Sequence, residues 1–74
     1  MKPEEWVEAF ARALGEERPS EAEFNAILEL AAVAAHSSER TAAPVAAWLA
    51  GKSGKPLGEV QGLAEAVAPE GGSS

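Results

Sequence analysis

Apolar positions recur every three or four residues along most of the chain, which is the spacing of amphipathic α-helices. Short polar stretches rich in glycine, proline and serine separate four such segments. The pattern predicts four helices, over residues 3–14, 21–37, 42–50 and 57–68. With connections of about four to six residues between them, we expect one all-α domain, built as a compact antiparallel four-helix array. That domain covers residues 3–68, and residues 69–74 are expected to form a disordered tail.

Residues that typically start and stop helices stand at the predicted boundaries. Gly15 is placed to end the first helix and Gly51 to end the third. Ser20 and Glu23 have the spacing of a capping box at the start of the second helix. Thr41 is the expected N-cap of the third helix.

The apolar faces of the helices predict how they pack. The second helix is apolar around most of its circumference because Leu30 and Val33 extend its main face, so we expect it at the centre. The fourth helix contains Gly58 and Gly62, each costing about 1 kcal/mol relative to alanine, and is expected to be the least buried. The first helix has one apolar arc, formed by Trp6, Val7, Phe10, Ala13 and Leu14.

The third predicted helix has two different surfaces. Val45, Trp48 and Leu49 share one face, and alanines that include Ala43 and Ala47 form a smooth second face. These surfaces belong to the core in one interpretation. In the other they bind a protein partner or a second copy of the chain, since a marginally stable domain gains stability from an interface. Trp48, Ala43 and Ala47 are therefore candidate interface residues.

Composition excludes several functional classes. The 74 residues contain no cysteine and one histidine, which argues against a structural zinc site, and no cofactor is expected. A net charge of −6 argues against nucleic-acid binding, because phosphate neutralisation needs clustered basic residues. No apolar run approaches the roughly 20 residues of a membrane span, and the N-terminus does not resemble a signal peptide. We expect a soluble cytoplasmic domain.

The junction between the second and third helices holds the best candidate for a polar site. His36, Arg40 and the amides that follow Thr41 are predicted to form a patch that holds a carboxylate or phosphate. The structural alternative is that His36 interacts with the carbonyls at its own helix C-terminus. A hydrolytic triad using Ser37 or Ser38 lacks an orienting acid, so no catalytic residue is assigned.

A run in this region carries a family resemblance. Ala35-His36, Arg40, Ala42-Ala43-Pro44 and the pair Trp48-Leu49 before Gly51 resemble a small helical domain of unknown function from high-GC bacteria. That domain occurs alone or fused to a molybdenum cofactor guanylyltransferase. The chain departs from the family at Ser37 to Glu39 and at Thr41, where proline is often found. The resemblance implies a helper domain near molybdenum cofactor synthesis and does not imply catalysis by this chain.

These observations favour a non-enzymatic accessory or binding module, acting beside a nucleotidyltransferase of molybdenum cofactor synthesis. The first alternative is a small independent enzyme or carrier of an anionic ligand that uses His36 and Arg40. The second is a structural dimerisation unit built on the alanine faces of the third helix.

Overall fold

The structure, a computed structural model, describes the backbone of residues 1–73 and the side chains of residues 1–67. The described part is all-α, as predicted. Its four helices are α1 (Pro3–Leu14), α2 (Glu21–Ser37), α3 (Ala42–Ser53) and α4 (Leu57–Ser73).

Local capping explains the limits of α1 and α2, which both agree with the sequence prediction. Gly15 follows α1 in the left-handed conformation, with φ of 78°. At the start of α2 the Ser20 hydroxyl accepts a hydrogen bond from the Glu23 amide at 3.1 Å, and a Glu23 carboxylate oxygen accepts one from the Ser20 amide at 2.8 Å. The predicted capping box is confirmed.

The predicted limits of α3 need two corrections. The helix continues through Gly51 and ends at Gly54, whose φ is 70°. The Ser53 hydroxyl donates to the Ala50 carbonyl at 2.8 Å, which satisfies an acceptor in the last turn. Thr41 stands at the N-cap position, but its φ of −66° and ψ of −20° are helical and its side chain makes no capping bond. The expected Thr41 side-chain cap is therefore wrong.

Helix α4 runs past Ala68, where the sequence predicted its end. The assigned helix continues to Ser73. The side chains of residues 68–73 and all of Ser74 lie outside the described part, so the disorder expected over residues 69–74 stays a prediction.

Helix α2 is the centre of the fold, as its apolar circumference predicted. Extensive packing joins α2 to α3 and α2 to α4 within the described part of the chain. Leu30, near the middle of α2, is only 4% exposed and is the largest buried side chain described. Among the described side chains α4 has none that is buried, whereas α1, α2 and α3 each have one, which agrees with the expectation that α4 is the least buried helix. Helix α4 nevertheless packs along α2, whereas α1 lies beside the N-terminal end of α2.

Apolar surfaces of α1 and α3 are on the outside. In α1 the buried residue is Ala11, while Trp6, Phe10, Ala13 and Leu14 are exposed. In α3 the alanine face is the less accessible one, with Ala50 buried and Ala43 and Ala47 half-buried. The physical reason in α3 is that alanines let two helix backbones approach closely, which turns the bulkier face outward. The core interpretation of Val45 and Trp48 is overturned, since both are exposed.

Many large apolar side chains stay exposed in the described part of the chain. Phe10 is 49% exposed, Leu63 52%, Trp6 55% and Trp48 62%. Much apolar surface is therefore left unburied.

Candidate functional site

The predicted polar patch lies at the turn that links α2 to α3. His36 is in the last turn of α2, and Arg40 and Thr41 follow in the turn. All three are exposed. Among the described side chains, none of the three forms a hydrogen bond or ion pair with another. The position of His36 also fits the structural alternative, in which it lies near the negative end of the helix dipole.

Backbone amides at the start of α3 are already engaged. The Ala42 amide donates to the Glu39 carbonyl at 2.9 Å, and the Ala43 amide donates to the Arg40 carbonyl at 3.1 Å. Pro44, the next residue, has no amide hydrogen. The first three residues of α3 therefore offer an anion no open donor. Any anion held here would depend on the side chains of His36 and Arg40.

The outer face of α3 presents a tryptophan to solvent. Trp48 is 62% exposed and Val45, one turn earlier, is 58% exposed. The Lys52 ammonium lies 4.9 Å from the centre of a Trp48 ring, within range of a cation–π interaction. We call Val45, Trp48 and Lys52 the outer face of α3. It combines an aromatic group, an aliphatic group and a positive charge on one helix surface.

An open apolar groove lies between α3 and α4, with the C-terminal half of α2 as its floor. Its volume is about 500 Å³. Lys55 stands at its rim. The groove is lined mainly by aliphatic side chains, among them Leu30, Val33, Ala46, Leu49, Leu63 and Val67. The groove was not predicted from the sequence. The signal for one of its walls is an apolar arc in the fourth predicted helix, formed by Leu57, Val60, Leu63, Ala64 and Val67.

A third apolar surface lies on α1. The rings of Trp6 and Phe10 stack with their centres 5.0 Å apart, and both side chains are about half exposed. Leu14 continues the same stripe one turn later and is also exposed. We call Trp6, Phe10 and Leu14 the α1 stripe. Helix α1 contacts the rest of its own chain on another side, where Val7 and Glu8 border a cleft with Pro19 and Phe24.

A family model matches nearly the whole chain. It is the domain of unknown function DUF6457, and the match covers residues 2–69. The chain belongs to the DUF6457 family. No similar protein was found among curated proteins, and none among solved structures. The predicted resemblance to a domain of unknown function is confirmed in this form.

Two further findings describe the DUF6457 domain. In residues 1–67, whose side chains are described, no group of three or more histidine or glutamate residues is placed to hold a metal ion. Over the same described part of the chain, each helix is too short or too polar to cross a membrane.

Proposed function

We propose that the DUF6457 domain is a non-enzymatic accessory module that binds another protein through the outer face of α3. The observation that supports this most directly is the exposure of Trp48, 62% of whose surface remains accessible to water. Tryptophan is enriched among the residues that dominate binding energy at protein interfaces. A half-buried alanine face holds α3 on the fold, so the helix is a rigid base for an exposed Trp48.

The chemistry of this face also indicates what it binds. Val45 and Trp48 supply apolar area, and Lys52 beside the indole favours an acidic group on the partner. Burying an exposed indole contributes more than any other side chain on this face, because its area is the largest. We expect a partner surface with an apolar depression and a carboxylate at its edge.

The proposed partner is a nucleotidyltransferase of molybdenum cofactor synthesis, in the cytoplasm. The support is the resemblance carried by His36, Arg40 and the Ala42-Ala43-Pro44 run, which implies a domain found alone or fused to such an enzyme. A domain that acts beside an enzyme needs a surface that binds it. The outer face of α3 would provide that surface.

The test is capture of partners by the full chain from an extract of its native host. The tagged parent, Trp48→Ala and Leu28→Ala are compared by mass spectrometry of the bound proteins. Leu28 is the matched control because it is 55% exposed on α2 and lies outside the outer face of α3. We expect the parent and Leu28→Ala to retain the nucleotidyltransferase, and Trp48→Ala to lose it. Equal capture by all three proteins would refute the proposed binding surface.

The enzyme or ligand-carrier alternative stays a separate proposal on His36 and Arg40. Both side chains are exposed at one turn, so a small anion can reach them. Turnover or tight binding of a small anionic molecule by the pure protein, lost in Arg40→Ala, would favour this alternative over the accessory module.

A further inference from the structure

The groove and the α1 stripe are two apolar surfaces of one chain that do not meet each other. Helix α1 lies at the N-terminal end of α2, next to Glu21 and Phe24. The groove begins at Leu30 and extends to the other end of α2. In this arrangement a chain does not place its own α1 in its own groove.

The two surfaces match in length and in chemistry. Helix α1 has 12 residues. It is therefore about 18 Å long, similar to α3, which forms one wall of the groove. Trp6, Phe10 and Leu14 are spaced four residues apart and so form one stripe along the helix, which is the pattern of a helix that docks into a groove. Because α1 contacts its own chain on the side of Val7 and Ala11, its stripe can contact another molecule without leaving that position.

We infer that the groove of one chain receives α1 of a second copy, and that two chains pair reciprocally, each with its α1 stripe in the other's groove. This inference rests on the proposed function only in treating the domain as a protein-binding module. It adds the partner, which is another copy of the chain, and a site separate from the outer face of α3. A reciprocal pair has twofold symmetry, which closes the assembly at two chains.

The area left exposed agrees with a dimer. A typical stable interface removes about 800 Å² from each partner. Reciprocal pairing makes its contact twice, so it covers the α1 stripe and the groove of both chains, where Phe10 is 49%, Leu63 52% and Trp6 55% exposed in a single chain.

The test begins with sedimentation equilibrium of the full chain. We expect a mass of two chains, twice 7.6 kDa, at loading concentrations from about 1 µM upward, since interfaces of this size bind in the micromolar range or tighter. Phe10→Glu places a charge in the α1 stripe and Leu63→Glu places one in the groove. Each is expected to weaken association roughly 30-fold or more. Leu28→Glu is the control, because Leu28 is 55% exposed and belongs to neither the α1 stripe nor the groove.

Mixing the two variants tests reciprocity. The Phe10→Glu chain keeps an intact groove and the Leu63→Glu chain keeps an intact α1 stripe, so an equimolar mixture can form one of the two contacts. We expect the mixture to contain more dimer than either variant alone. Helical circular dichroism must match the parent. If a glutamate variant loses its helical signal, Phe10→Ala and Leu63→Ala replace the two glutamate variants. The mixture of the alanine variants is again expected to contain more dimer than either variant alone.

Three results would overturn the inference: a monomeric parent, a dimer that Phe10→Glu and Leu63→Glu leave intact, or a mixture that associates no better than its components. The proposed function fails separately. A monomeric parent that still captures a partner through Trp48 refutes the dimer alone. A reciprocal dimer whose partner capture does not depend on Trp48 refutes the outer face of α3 as the docking surface and leaves the dimer standing.

Discussion

Replacing Leu30 by alanine tests the conclusion that α2 is the centre of the fold. Leu30 is 4% exposed and lies where α2 meets the groove between α3 and α4. Leu28, on the same helix, is 55% exposed. Both substitutions change the same residue type in one helix, so their effects on helix propensity nearly cancel. The difference in unfolding free energy between the two variants therefore measures burial.

The expected magnitude follows from the surroundings of each leucine. Leucine-to-alanine substitutions in protein cores cost about 2–5 kcal/mol, and the cost is smaller where the site can be refilled. Because an open groove borders Leu30, we expect Leu30→Ala to cost about 2–3 kcal/mol. Leu28→Ala should cost less than about 1 kcal/mol, since more than half of that side chain is already in water. A domain of this length has a total stability of about 4–11 kcal/mol, so the Leu30 effect is large.

Urea denaturation followed by far-ultraviolet circular dichroism provides the measurement. The parent and both variants are compared at one protein concentration, because association with a second copy would add stability that depends on concentration. A Leu28→Ala cost equal to or greater than that of Leu30→Ala would refute the packing of α3 and α4 on the Leu30 side of α2.

Four other substitutions give separate expectations. Gly54→Ala should destabilise the fold by about 1 kcal/mol, because alanine is strained at a positive φ. Gly51→Ala lies inside α3 with open space around it and should stabilise the fold by about 0.5–1 kcal/mol. Equal effects of the two substitutions in thermal melts would contradict the conclusion that α3 ends at Gly54. Ser20→Ala should cost about 0.5–2 kcal/mol by removing the capping bond, and an unchanged urea midpoint would show that this bond is dispensable. Arg40→Ala should keep the fold but lose any stabilisation that added phosphate gives the parent; a parent that does not respond to phosphate, with a variant that melts like it, would remove the anion patch.

Helix limits could be predicted where capping is local. Gly15 and the Ser20–Glu23 pair act within a few residues, and both ends agree with the structure. The end of α3 was missed because Gly51 and Gly54 are both suitable stop residues, and the Ser53 bond to the Ala50 carbonyl shows why the helix continues to the second.

The direction of burial could not be predicted from periodicity. A hydrophobic pattern shows which residues share a face but not which face another helix will cover. In α3 the alanine face packs and Trp48 remains outside, and in α1 Ala11 is buried while Phe10 is exposed. For the polar site, the sequence predicted one patch formed by His36, Arg40 and the amides that follow Thr41. It could not show that the amides of Ala42 and Ala43 are already used by turn carbonyls.

The central position of α2 also has a consequence for the order of folding. The α2–α3 hairpin closes through a turn of four residues, Ser38–Thr41, whereas α4 must return to α2 across the whole of α3. Contacts near in sequence form at a lower entropic cost, so the hairpin is expected to form first and α4 to dock later. The groove does not exist until α4 has docked. A molecule that occupies the groove would therefore bind only the fully folded chain, and its binding would stabilise the docked position of α4 by mass action.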